Sequence, residues 1–248
     1  MANVKKIIQI VLLVVIIIIN ALFLVVWFWS QGSGDNYFNK NLRINFIQSS
    51  FLRNIFSWHD VGEGRYDYLG KKPQKISINV YAMTGMNISL DILQELTDKI
   101  QNLTGKPVSY SFANMFIPYA PQISTNDKDT LLNKYLSQNS DSVQINLFIL
   151  SQSDQEPNLL GLTYKERSII IFNKALEDFT KNNPTTFSKY QLSTILHEFG
   201  HQLGLNHNDK ANCLMAEHAE INHLAKDNPA DIVVDFCDYE KQLIKQIN

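Results

Sequence analysis

The chain has 248 residues, which suits one domain of ordinary size plus an appendage. Its hydrophobic content of 45% supports a real core, and a formal net charge of -2 excludes the basic surplus of a nucleic-acid binder. No acidic block asks for a cationic partner, so function has to be read from motifs.

From Ile7 to Trp29 the sequence is IIQIVLLVVIIIINALFLVVWFW, with Gln9 and Asn20 as its only strongly polar residues. A helix of this length, rising about 1.5 Å per residue, spans the roughly 30 Å hydrocarbon core of a bilayer. The alternatives are a cleaved signal peptide and a buried core helix. A signal peptide has a shorter apolar run and a small-residue cleavage site. Here the run ends in Trp27, Phe28 and Trp29, the composition of an interfacial aromatic belt. Residues 7–29 are therefore read as a transmembrane signal anchor. Lys5 and Lys6 precede the run, and the SQGSGDN that follows carries no positive charge. By the positive-inside rule residues 1–6 form a cytoplasmic tip, and everything after residue 30 lies outside the cytoplasm. That compartment permits a disulfide between the two cysteines, Cys213 and Cys237; the alternative is two buried free thiols.

Residues 30–73 read as a stalk and irregular lead-in, beginning flexibly. Regular patterning starts at residue 74. KISINVYA alternates as a strand does. SLDILQELTDKIQNL has apolar residues at 90, 93, 96, 100 and 103, with Ser89 as N-cap and Gly105 as stop. PVSYSF reads as a strand, DTLLNKYLSQ as a short helix and VQINLFIL as a strand. LLGLTY and SIIIF follow, separated only by KER, and so tight a turn makes the pair antiparallel. Strands alternating with helices predict an α/β (α+β) domain over 74–248, with a twisted, mostly parallel sheet and one antiparallel edge strand. A helix follows with Ser188 and Gln191 as a capping box and Leu192, Ile195, Leu196, Phe199 and Leu203 as its core stripe. A last helix is expected from Asn228 and Pro229, with Ile232, Val233, Phe236 and Leu243 inward.

The helix at residue 188 carries HEFGHQLGLNH, residues 197–207, which holds three of the chain's six histidines. His197 and His201 are four apart and project from one helical face. Two imidazoles so placed bind one Zn²⁺ at about 2.0–2.1 Å. Glu198 sits beside the first, placed to take a proton from a zinc-activated water. Gly204 lets the chain leave the helix and return, and His207 becomes the third ligand. Three protein ligands leave an open position, the mark of a catalytic rather than a structural site. A lone HExxH arises by chance; the third histidine, the helix-stop glycine, the apolar stripe and a nearby Met make chance a poor account here. His218 and His223, spaced by five, read as surface or cleft-rim residues, and His59 as an ordinary surface histidine.

HEFGHQLGLNH fits HExxHxxGxxH, and Met215 in CLM fits a Met-turn, so the chain resembles the metzincin zinc metallopeptidases. The resemblance implies one zinc ion on His197, His201 and His207, Glu198 as general base, and Met215 as the floor beneath the metal. It implies an upper sheet-and-helix subdomain, a smaller irregular C-terminal one ending in a helix, and a cleft between them. Leu160, Gly161, Leu162 and Thr163 would then form the edge strand that binds an extended peptide. Glu217, where some related enzymes carry a tyrosine, is not taken to replace it.

Two branches stay open. Cys213 and Met215 resemble the archaemetzincins and also the adamalysins; archaemetzincins hold a second, structural zinc on four cysteines, among them one directly after the third histidine and a later CxxC. Here Asn208 and Glu240 stand at two of those four positions, and Cys213 and Cys237 are left to pair as a disulfide. The simple motif is equally matrixin-like, although no cysteine precedes the catalytic helix to act as a latency switch. The expected function is a membrane-anchored zinc endopeptidase acting on peptide or protein, with no nucleic-acid partner. The alternative is a membrane-tethered peptide- or protein-binding protein with an unproductive zinc site.

Overall fold

The computed structural model describes residues 2–32, 36–71, 74–114, 117–135, 142–210, 212–216 and 229–246. It divides into two units, Met1–Trp58 and His59–Asn248.

In the first unit the apolar run forms α1 (Ala2–Gln31). Within its stretch Val4–Gln31 an 18-residue window reaches a mean hydropathy of 3.3, and the helix is long and apolar enough to cross a membrane, which supports a single-pass topology. The chain after it is no open stalk. Phe38–Leu42 makes a wide π-helical turn and Arg43–Asn45 a tight 3-10 turn, and α2 (Ser50–Phe56) follows, capped by Ser49, whose hydroxyl accepts from Leu52 N at 3.4 Å. Phe38, Ile47, Phe56 and Trp58 are buried there.

The second unit begins at His59, fifteen residues before the domain start expected at 74. The lead-in from 59 to 71 carries α3 (Arg65–Leu69) and packs onto this unit. Glu166 N donates to His59 O at 3.0 Å, and the Tyr68 ring meets Phe199 edge-on at 5.4 Å. The mixture of aromatics, charges and glycines hid this in the sequence, because its partners, from Lys106 to Phe199, are distant along the chain.

Among the described residues the sheet has five strands: β1 (Ile76–Ala82), β2 (Val108–Phe112), β3 (Val143–Leu150), β4 (Gly161–Tyr164) and β5 (Ser168–Phe172). Their order is β2-β1-β3-β5-β4, all parallel except β4, the antiparallel edge. This is the mostly parallel sheet the alternation of elements predicted. α4 (Leu90–Thr104) and α7 (Phe187–Gln202) cover one face, over Ile76, Ile78, Val80, Ile145, Leu147, Ile149, Ile169 and Ile171. Tyr81, Phe148, Leu150, Ile170 and Phe172 form a second cluster with Met83, Ile117 and Ile123. Burial of both faces explains the unbroken VQINLFIL and SIIIF runs.

Several boundaries differ from the sequence reading. In α4 Leu90 is exposed and Ile92 takes the inward position. α5 (Thr125–Tyr135) starts four residues early, because Ser124 and Asp127 cap one another: Ser124 Oγ accepts from Asp127 N at 3.1 Å and Asp127 Oδ2 accepts from Ser124 N at 2.9 Å. The Ser188–Gln191 capping box does not form, since α7 runs on from a 3-10 turn at Pro184–Thr186. Gln191 instead donates to Asn173 Oδ1 at 2.7 Å, in α6 (Asn173–Thr180). The last helix, α8 (Asp238–Gln246), starts well after Pro229, which sits in a single 3-10 turn; Asn228 lies outside the described residues. Ile232 and Phe236 are buried on the extended approach to α8, and Glu240 and Ile244 on α8 itself.

α7 depends on Phe199, which has no exposed surface. Phe199→Ala is expected to cost about 3–5 kcal/mol, read from chemical denaturation of the solubilised chain. A loss below about 1 kcal/mol would show that α7 is held by other contacts.

Candidate metal centre

α7 is fixed to the sheet at both ends of β4. Gln202, fully buried, donates to Lys165 O and Ser168 O, both at 3.1 Å, which ties the helix C-terminus to the β4–β5 turn. Higher up, Thr163 Oγ lies 2.7 Å from both Glu198 O and Glu198 Oε2. The two chains approach so closely only because residue 161 is glycine. A Cβ there would stand 2.5 Å from Thr194 Cγ2 and 3.1 Å from Glu198 Cγ and Oε1. Beyond Thr163, Tyr164 donates to Asp129 Oδ1 at 2.8 Å; burial, then that bond and the Asp129 charge, push its pKa up to about 12.

The helix ends where expected. Gly204 adopts φ +83°, and its N–H donates to His201 O at 2.9 Å. The chain then turns back and brings His207 to the helix face. His207 Nε2 lies 3.1 Å from His197 Nε2 and 3.2 Å from His201 Nε2. On their other nitrogens, His197 Nδ1 meets Leu214 O at 2.9 Å and His201 Nδ1 meets Leu205 O at 2.9 Å. A carbonyl can only accept, so each Nδ1 carries the proton and each Nε2 keeps its lone pair. Lone pairs facing one another at this range repel unless a cation sits between them. Ligand nitrogens about 2.0–2.1 Å from a tetrahedral zinc are separated by about 3.3 Å, so the donor set fits that ion. Among the described residues the cluster contains these three histidines and no fourth side chain. His218, His223 and Glu217 lie outside the described residues. His59 is half-exposed and 3.1 Å from Glu166 Oε1, in a separate group with Arg167 and Asp67.

Met215 is fully buried. It sits against Gly200, where a Cβ would stand 2.3 Å from Met215 Sδ and 3.1 Å from Phe236 Cε1. Gly200 was not singled out in the sequence, since a glycine inside a helix shows its reason only when the packed partner is known.

Glu240 is the other residue whose place could not be read from sequence. It is fully buried, and its carboxylate accepts from Met215 N at 2.7 Å, Leu214 N at 3.2 Å, Cys237 N at 3.0 Å and Asn208 Nδ2 at 3.0 Å. The bond from Cys237 N, three residues back, starts α8 as half of a capping box. The sulfurs of Cys213 and Cys237 are 2.03 Å apart, a disulfide. Asn208 and Glu240, the two residues that depart from a four-cysteine pattern, are therefore hydrogen-bonded to each other. Disulfide and carboxylate together close the loop that carries Leu214 and Met215.

The sequence profile of peptidase family M54 matches residues 121–245, half of the chain. The chain belongs to peptidase family M54. By that membership it is a metzincin-type zinc metallopeptidase. Solved structures similar to this M54 peptidase include the archaemetzincin of Methanopyrus kandleri, at 16% identity and a TM-score of 0.49, covering 72% of this chain and 98% of that one. The archaemetzincin of Archaeoglobus fulgidus, solved with malonate, matches at 15% identity and a TM-score of 0.44, covering 68% and 98%. No curated protein matches.

Gly200→Ala in this M54 peptidase is expected to force the Met215 thioether out of its seat. The predicted result is a loss of about 1–3 kcal/mol of stability together with weaker zinc retention, measured by thermal unfolding and by metal content after dialysis. Unchanged zinc retention at lowered stability would separate Met215 from the metal site.

Proposed function

We propose that the M54 peptidase is a membrane-anchored zinc endopeptidase that binds an extended peptide along β4 and cleaves it with Glu198 as general base. The observation that carries this reading is the convergence of three imidazole nitrogens, two of them freed of their protons by backbone carbonyls. His197, His201 and His207 would hold the ion. Bound zinc supplies a Lewis acid that polarises the scissile carbonyl and lowers the pKa of water toward about 7.

The remaining chemistry belongs to side chains and backbone. Glu198 takes the proton of the attacking water and passes it to the leaving amine. It is 4% exposed, and Thr163 Oγ restrains one carboxylate oxygen. The missing side chain of Gly161 leaves room for the other oxygen at the edge of the sheet. Peptide binding follows from the ladder. Phe172 N donates to Leu160 O at 2.9 Å, so Leu160, Leu162 and Tyr164 turn their backbone groups toward β5. The intervening Gly161 and Thr163 turn theirs outward, where a substrate strand can add to the edge. Each residue that offers backbone to a peptide thus also touches or makes room for Glu198.

For orientation, Lys5 and Lys6 favour a cytoplasmic N-terminus, whereas Lys40 and Arg43 follow the span closely on the other side. The Cys213–Cys237 disulfide tips the balance, since such bonds persist outside the cytoplasm. We place the catalytic unit there.

The test is cleavage of a diverse peptide mixture by the zinc-loaded full chain, read by mass spectrometry. Internal cuts are expected, abolished by chelation and restored by zinc. Glu198→Gln should keep its zinc and lose about 10²–10⁴-fold in rate. A binding protein with an unproductive metal would show no cuts in either form. Gly161→Ala should also keep zinc and lose at least about tenfold in rate, through displacement of Glu198 or β4. Wild-type turnover in Gly161→Ala would remove β4 from the proposed site.

A further inference from the structure

The segment after the apolar helix has a composition unlike a stalk. Residues 36–58 contain three cations, Lys40, Arg43 and Arg53, and no acid. They also carry Phe38, Phe46, Phe51, Phe56 and Trp58. Part of this apolar set is internal. Phe56 stacks on Trp58 at 5.0 Å, Phe38 meets Trp58 at 6.0 Å, and the Arg43 guanidinium lies 5.2 Å over the Trp58 ring. Arg53 is buried and donates to Ile47 O. The rest faces outward: Phe51 is 69% exposed, Ile44 49%, Phe46 43% and Ile55 40%. Four large apolar side chains exposed in so short a stretch call for a covering surface.

Depth along α1 indicates which surface. Phe56 stacks on Phe23 at 5.1 Å. Phe23 lies four to six residues before Trp27 and Trp29, about 6–9 Å deeper along the helix. If those tryptophans mark the interface, α2 is held against the part of α1 just inside it. The helix end is also closed as a water-poor setting requires. Asn36 Nδ2 donates to Trp29 O at 2.6 Å, Asn39 Nδ2 to Ser30 O at 3.4 Å and Gly32 O at 3.3 Å, and Gln31 Nε2 to Phe56 O at 3.2 Å.

We infer that residues 36–58 form a membrane-surface collar around the end of α1, with Phe51, Ile55, Phe46 and Ile44 in the acyl–headgroup boundary and Lys40 at the level of lipid phosphates. The partner is the bilayer that α1 spans, and the inference rests on that reading of α1. An apolar face with a cationic complement is what binds a helix in the interface plane. Lipid is favoured over a protein partner by the Phe23–Phe56 stack, which fixes the depth of α2 relative to the span itself.

The test uses the full chain in nanodiscs of phosphatidylcholine with a minority of phosphatidylglycerol. Single cysteines carrying a spin label replace Phe51, Ile55, Val14 in the span and Leu90 on the exposed side of α4, with the native disulfide intact. Phe51 is largely exposed, so its label leaves the aromatic stack undisturbed. Collision rates with oxygen and with a water-soluble nickel chelate report depth. Labels at Phe51 and Ile55 are expected to favour oxygen and to meet nickel about tenfold less than Leu90, though more than Val14. Nickel access equal to that at Leu90, with Val14 still in lipid, would overturn the collar and leave the span standing. Nickel access at Val14 as well would overturn both. Protection of Phe51 from both reagents would mean that polypeptide covers it, and the collar would be wrong.

Discussion

Three imidazoles can share one cation only if the chain carrying the third reverses direction within a few residues of the helix carrying the other two. Gly204 supplies the left-handed turn, and Leu205, just beyond it, gives its carbonyl to His201. The loop that gives its carbonyl to His197 comes from further on, at Leu214. Each ring on the helix is therefore oriented by backbone from the returning chain, the arrangement that holds a metal ligand in one tautomer and one direction. The site is a property of the loop as much as of the helix.

A loop that orients the imidazoles has to be held itself, and Glu240 does this from α8. A fully buried carboxylate is costly unless its oxygens are hydrogen-bonded, and three backbone N–H groups and one amide meet that need here. The Cys213–Cys237 bond, 24 residues apart in sequence, adds the constraint of a closed loop, typically about 3 kcal/mol. Those sulfurs and Glu240 stand close together, yet the disulfide leaves no thiolate to bind a metal and the carboxylate oxygens already accept from four donors. The same corner of the fold is thus closed by covalent and hydrogen-bond chemistry.

What was legible in the sequence was whatever repeats with the period of its element. The alternation of KISINVYA, the unbroken VQINLFIL and the stripe from Leu192 to Leu203 each reported local geometry, and β1, β3 and α7 lie where those patterns put them. The spacing of HEFGHQLGLNH likewise anticipated which imidazoles meet. Residues whose reason lies in a distant partner were not legible. Gly161 and Gly200 look like ordinary glycines until Glu198 and Met215 are placed against them. Gln191 had the offset of a capping box, but Asn173, eighteen residues back, claimed its side chain. α8 began late because its start is set by Glu240 reaching back to Cys237, a contact that no periodicity announces.

The two units answer to different solvents, and their sequences show it differently. α1 is apolar on every side and buries almost nothing of its span within the protein, so its side chains need a hydrocarbon environment that the chain does not provide. In the second unit apolar residues are confined to one stripe per helix, and the sheet supplies the matching surface. The sheet ends at β4, an edge strand of four residues in which Gly161 and Thr163 pack on Glu198. An exposed edge is ordinarily a liability that invites pairing with other chains. Under the proposed function the same edge admits the substrate, and its shortness limits that pairing to the residues beside Glu198.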